Sequence, residues 1–144
     1  MLGPMAWTQP SEAEISHLIN SAQTIAIVGV SNKPDRPSYG VAQRLIASKS
    51  YQIFLVNPLY EEVLGLPTYK SLEDIPVPID IVDVFRKTSE LGPVFESAKK
   101  IHAKNIWLQL GIKDEALANV ATAHGIGVVM DRCLKVDYDL FRIR

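Results

Sequence analysis

Five short apolar runs limit how this chain can fold: Thr24–Val30 (TIAIVGV), Gln52–Pro58 (QIFLVNP), Ile79–Phe85 (IDIVDVF), Asn105–Gly111 (NIWLQLG) and Gly127–Met130 (GVVM). Each is strand-length, and the first is almost continuously apolar. That pattern fits strands of a parallel sheet covered on both faces. Stretches with helical spacing lie between them. Ser11 with Glu14 three residues on has the capping-box spacing for a helix to about Asn20, with Ile15, Leu18 and Ile19 as its apolar stripe. Ser38 can cap a helix carrying Val41, Leu45 and Ile46. Thr88 or Ser89 starts another, with Pro93 in its first turn and Val94, Ala98 and Ile101 at helical spacing. Asp114 opens a further helix to His124. Leu64–Pro78 holds four Pro or Gly residues and a short Ser71–Asp74 turn, and reads as an irregular connection. Strands alternating with helices, right-handed at each crossover, predict an α/β fold: a doubly wound parallel sheet of five strands with helices on both faces.

At 144 residues the chain reads as a single domain, residues 1–144, with residues 1–10 as a loose lead-in. A net charge of −1 argues against a nucleic-acid binder, which needs clustered cations to displace counterions. No apolar run is long enough to span a bilayer, and the N-terminus lacks the charged and apolar regions of a signal peptide. The expectation is a soluble, cytoplasmic protein. Cys133 is the single cysteine, so an internal disulfide framework and a cysteine-based zinc cluster are excluded.

In a doubly wound sheet, ligands sit beyond the carboxyl ends of the strands, where the strand order reverses. The loops after Val30, Val56, Phe85, Leu110 and Met130 are therefore the ones to read. After the first strand, Gly29 and Val30 lead into Ser31, Lys33, Arg36, Ser38 and Tyr39. A glycine, two cations and a helix start suit a phosphate-bearing ligand, because a helix N-terminus carries unpaired N–H groups and partial positive charge. An ordinary solvated loop accounts for the spacing equally well. The spacing is not G-x-G-x-x-G, so a dinucleotide site is not indicated. Asn57 and Pro58 end the second strand where an NAD enzyme usually offers an acid to the ribose. A neutral Asn suits a ligand with an additional phosphate there; a simple turn before proline is the alternative.

Phe85, Arg86 and Lys87 end the third strand, placing two more cations ahead of a helix. Asp83, inside that strand, needs a hydrogen-bonding or charged partner if it is buried. Loop N–H groups or Arg86 are the structural partners, against a catalytic role. Gln109, Leu110 and Gly111 end the fourth strand, where the glycine permits close approach of a ligand. Met130 and then Cys133 follow the fifth; Cys133 is either a small buried hydrophobe or a thiol beside the site. His17, His102 and His124 fall on predicted helices away from these loops. No phosphate-binding P-loop, Tyr-x-x-x-Lys pair, nucleophile elbow or metal-ligand cluster is present. An acidic pair for magnesium is also absent at the first strand's end, which excludes a phosphoacceptor receiver. No nucleophile–base pair emerges.

The run IAIVGVS-x-x-x-DRPSYGVAQRL, the VNP-x-x-x-x-x-LG-x-x-x-Y-x-SL-x-DIP segment, IDIVDVFR, WLQLG and VVMDRC together resemble the CoA-binding protein family. These are small Rossmann-like proteins similar to the CoA-binding domain of the succinyl-CoA synthetase α subunit. The resemblance covers roughly Thr24–Leu134 with the blocks in the family's order. It implies coenzyme A as ligand, with or without an acyl group; CoA disulfide enters only through Cys133, a lone thiol that could exchange with it to form a mixed disulfide. Gly29, Ser31, Lys33, Arg36, Ser38 and Tyr39 would then hold phosphates and ribose, and Asn57 and Pro58 would border the nucleotide end. Phe85, Arg86 and Lys87 would meet the middle of the ligand, and Gly111, Ile112 and Met130 would line the pantetheine path. The synthetase's phosphohistidine belongs to a second domain that this sequence does not contain. The resemblance therefore implies a stand-alone binding or sensing module without ligase activity; such a module could carry, sense or buffer the cofactor, and a protein partner is one route by which it could act. An NAD(P)-dependent oxidoreductase or another nucleotide-binding enzyme is the alternative.

Overall fold

The structure, a computed structural model, describes residues 6–143. In chain order its elements are α1 (Glu12–Ser21), β1 (Thr24–Val28), α2 (Pro37–Ser48), β2 (Gln52–Val56), β3 (Glu62–Val63), β4 (Leu66–Tyr69), β5 (Ile81–Val84), α3 (Leu91–Lys100), β6 (Asn105–Leu108), α4 (Glu115–Ala123), β7 (Gly127–Val129) and α5 (Leu134–Phe141). The strands form one 7-stranded sheet in the order β3-β4-β2-β1-β5-β6-β7. Every neighbouring pair is parallel except β3 and β4, which are antiparallel.

The expected five strands are β1, β2, β5, β6 and β7, in a Rossmann-like arrangement. The sheet is larger and mixed because part of the connection expected to be irregular pairs with it. Gly65, at φ 78°, and Leu64, at φ 53°, turn the chain so that Leu66–Tyr69 runs antiparallel to β3 and parallel to β2. Pro67 is tolerated because β2 pairs only with Thr68 and Tyr69 of this strand and the other neighbour, the edge strand β3, is two residues long, so few ladder bonds need its missing N–H. Helix α5 was absent from the sequence reading, since Cys133 at its N-cap supplies no capping signal.

Strand alternation splits the core into two layers. Ile25, Ile27, Leu55, Ile81, Trp107 and Val129 pack under α1, α2 and α5 through Ile15, Ile19, Val41, Leu45, Leu134 and Tyr138. On the other face, Ala26, Val28, Val82, Val84, Ile106 and Leu108 meet Leu91, Phe95 and Ala98 of α3 and Ala118 and Ala121 of α4. The capping box at Ser11 and Glu14 forms as its spacing predicts, and Asp114 caps α4 by accepting from Leu117 N. Ser38 does not cap α2. Pro37 takes the first helical position and makes Arg36 the N-cap.

Residues 6–10, expected to be loose, are tied to β7 and the loop after it. Trp7 Nε1 donates to Val128 O at 2.8 Å, and the Gln9 carboxamide both donates to Met130 O and accepts from Met130 N. The first five residues of that lead-in lie outside the described residues. Among the described residues, no helix is long and apolar enough to cross a membrane.

Sheet order reverses at β1, whose chain successor β2 lies on one side and β5 on the other. The carboxyl ends of β1 and β5 are therefore the switch point that opens a crevice for ligand.

Candidate ligand-binding cleft

The chain leaves β1 at Gly29, whose N–H continues the ladder to Val56 O at 2.9 Å. Gly29 is at φ 86°, and a Cβ there would fall on the Phe85 carbonyl oxygen. Only glycine lets the two strand ends close up in this way. The loop beyond is built on serines. The Ser38 hydroxyl accepts from Ser31 N at 2.9 Å, and the Ser31 hydroxyl accepts from Lys33 N at 3.1 Å. Ser38 is thus buried as the brace of the loop, while the exposed Lys33 and Arg36 stand at the start of α2.

A cleft of about 630 Å³ lies over these strand ends. Of the residues expected at the site, Gly29, Ser31, Lys33, Arg36, Ser38, Asn57, Phe85, Arg86, Lys87, Ile112 and Cys133 line it. Val30, Tyr39, Pro58, Gly111 and Met130 do not. Val30 is wholly buried beside Val41, and Met130 is buried with its backbone clasped by Gln9. Tyr39 packs against the α2-side core. Pro58 borders a separate cavity of about 400 Å³ that also touches Arg86, Lys70 and Glu90. Gly111 is at φ 86°, but its N–H is spent on Asp131 Oδ1 at 2.7 Å. That bond and Lys113 hold the Asp131 carboxyl below its usual range. Pro37, Tyr60, Gln109 and Leu110 also line the cleft. Tyr60 and Leu110 lie in loops already marked by the strand-end rule; Gln109 was signalled only as a polar residue ending an apolar strand.

The cleft is strongly cationic. Lys33, Arg36, Arg86 and Lys87 line it, and no Asp or Glu does. Among the described residues, only Arg86 of these four forms an ion pair, a 3.6 Å contact with Glu90. Cations left unpaired around a helix start favour a bound anion. Leu110 and Ile112, from the loop after β6, give the lining an apolar part.

Asn57 is anchored by the protein. Its Nδ2 donates to Val30 O and its Oδ1 accepts from Leu59 N, both at 2.9 Å. It therefore holds the loops after β1 and β2 together, and one Nδ2 hydrogen and one Oδ1 lone pair remain. The Cys133 loop is held from three sides. Trp107 Nε1 donates to Arg132 O at 2.8 Å, and Arg132 grips Asp137 with two hydrogen bonds at 2.6 and 2.9 Å. Leu134 N donates to Gln109 Oε1 at 3.1 Å.

Asp83 departs from expectation. It faces the α2-side core, level with Ile27 and Trp107 in the neighbouring strands. It is 0% exposed, and neither carboxylate oxygen has a hydrogen-bond partner. Arg86 pairs with Glu90 instead. Burial therefore pushes the Asp83 carboxyl well above the ordinary carboxylate range.

The sequence profile of the CoA binding domain family matches residues 23–139. The chain is 39% identical over 127 residues to the uncharacterized protein YneT of Bacillus subtilis (strain 168), covering 88% of this chain and 93% of that one. A solved structure from Pyrococcus horikoshii OT3, described as a hypothetical protein, superposes with a TM-score of 0.87 at 33% identity, over 95% of this chain and 99% of that one. The 4-hydroxybutyrate–CoA ligase (ADP-forming) of Nitrosopumilus maritimus (strain SCM1) is 24% identical over 128 residues, which is 82% of this chain and 18% of that enzyme.

Proposed function

This chain belongs to the CoA binding domain family, and we propose that its strand-end cleft binds coenzyme A or an acyl-CoA as a stand-alone binding or sensing module without ligase activity. The charge of the cleft carries this reading: four cations and no carboxylate, on a chain of net charge −1. Coenzyme A is polyanionic at its nucleotide end and bears a long, mostly uncharged amide arm ending in a thiol. The cleft offers both characters, cations around the start of α2 and apolar Leu110 and Ile112 toward Cys133. Lys33, Arg36 and the Ser31 region would hold phosphates, with Arg86 and Lys87 completing the positive field. Phe85 and Ile112 would pack along the arm. Val30, Tyr39, Gly111 and Met130 would act from behind, by shaping these loops.

The absence of an acid from the lining weighs against an NAD-type dinucleotide site, which usually offers one to the ribose. No histidine lines the cleft, which favours binding over phosphoryl transfer. Native mass spectrometry in reducing buffer tests the reading, using protein freed of bound ligand. The expected result is a one-to-one complex with added CoA, lost when Arg36 and Arg86 are both replaced by Ala. Wild-type protein that stays ligand-free at CoA concentrations around 100 µM would overturn it, because micromolar affinity should nearly saturate the site there.

A further inference from the structure

We propose that Cys133 is a thiol–disulfide exchange site for the thiol end of the ligand, so that the protein is loaded covalently by CoA disulfide. The inference rests on the CoA-binding reading and adds a chemistry to the same cleft. Cys133 is partly exposed and lines the cleft; it follows β7, which three strands separate from β2, the strand that Asn57 and Tyr60 follow. It is followed by Leu134, whose N–H is taken by Gln109 Oε1.

That bond fixes the Gln109 carboxamide, because only its oxygen can accept from an N–H. The side chain is buried, with the residue 4% exposed, yet it lines the cleft. Its Nε2 has no hydrogen-bond partner among the described residues and is not sealed in the core. A buried amide donor held in place and facing only the cleft is costly unless something accepts from it. The arm of CoA presents amide carbonyls close to its thiol, which supply such an acceptor beside Cys133. The grip of Arg132 on Asp137 and the Trp107–Arg132 bond hold the Cys133 loop in place for this.

In the step, Cys133 loses its proton to solvent and the thiolate attacks one sulfur of CoA disulfide. The S–S bond of the disulfide breaks, a bond between Cys133 Sγ and one CoA sulfur forms, and the second CoA leaves as thiolate. One disulfide is consumed and one is made, so no further oxidant enters. The reverse reaction, with any small thiol, releases CoA.

Intact-mass spectrometry of reduced, desalted protein incubated with CoA disulfide tests this, with glutathione disulfide at equal concentration in parallel. The wild type should gain one CoA less two hydrogens, reversibly with dithiothreitol, and Cys133→Ser should gain nothing. The CoA adduct should form about tenfold or more faster than the glutathione adduct, since binding in the cleft aligns the sulfurs. Gln109→Leu should reduce that preference. No adduct, or equal rates with both disulfides, overturns the proposal; an unchanged preference in Gln109→Leu removes the carboxamide from it. Calorimetry of Cys133→Ser with CoA keeps the two readings apart. If that variant binds CoA while the wild type forms no adduct, only the exchange proposal fails. If neither protein binds CoA, the binding reading fails with it.

Discussion

The carbonyl oxygen of Phe85 occupies the space that a side chain at Gly29 would need. The ends of β1 and β5 are closed together by that approach, and the cationic loop from Ser31 to Arg36 departs from it. Gly29→Ala should therefore suffer twice, from the collision and from a left-handed φ of 86°. An unfavourable backbone conformation of this kind costs about 1–3 kcal/mol. Denaturant unfolding should show at least that loss, and CoA affinity should fall with it. A variant of full stability and affinity would mean that the two strand ends are not held this way.

Arg36→Ala and Arg86→Ala separate binding from folding. Both side chains line the cleft, and Arg86 has only a 3.6 Å ion pair with Glu90 at a partly exposed position. Such surface pairs contribute about 0–1 kcal/mol to stability. Each variant should unfold almost as the wild type does, yet lose about 1.5–3 kcal/mol of CoA binding, the worth of hydrogen bonds to charged groups. Titration of each variant with CoA checks this.

Asp83 should make stability depend on pH. Its folded carboxyl is raised well above the ordinary value by burial. The folded state therefore holds that proton more tightly than the unfolded chain, whose carboxyl titrates near pH 4, or about 3.9. The associated stability is fully present below that pH and is lost as pH rises toward the folded value. Asp83→Asn has no proton to lose. Its stability relative to wild type should rise between about pH 5 and about pH 8, as read by urea unfolding at the two values. A constant difference would show that Asp83 has found a partner.

Arg132→Met should loosen the Cys133 loop and destabilise the fold. Arg132 makes two hydrogen bonds to Asp137, which is 3% exposed and would be left buried without its charged partner. Losing one member of a buried pair costs about 3–5 kcal/mol, and less where one side reaches solvent as Arg132 does. Thermal unfolding measures the effect; the double variant Arg132→Met, Asp137→Leu should recover much of the loss.

How much of this was legible in the sequence depended on whether the signal was local. Gly29 lies at the end of an apolar run, and Lys33, Arg36, Arg86 and Lys87 come within six residues of one, so the strand-end rule points to them from sequence alone. Ser38 misled because Pro37 claims the first helical position, which moves the cap to Arg36 and frees the Ser38 hydroxyl for Ser31 N. The β3–β4 hairpin was hidden by Gly65 and Pro67, residues that ordinarily mark loops. Met130 lies at a strand end but points into the core, and Gly111 spends its N–H on Asp131. Neither outcome can be read from spacing, because both depend on how two distant loops fold over each other. The role of Gln109 was equally non-local, since it needs Leu134 to arrive from α5.

If the cationic cleft reads the phosphates of coenzyme A, calorimetric titration of reduced, ligand-free protein shows it. CoA, 3′-dephospho-CoA and NAD should be compared under one buffer and salt concentration. Micromolar binding of CoA is expected, about −8 kcal/mol, with weaker binding without the 3′-phosphate and no binding of NAD. Equal affinity for NAD and CoA, or no heat and no competition with CoA, would contradict it.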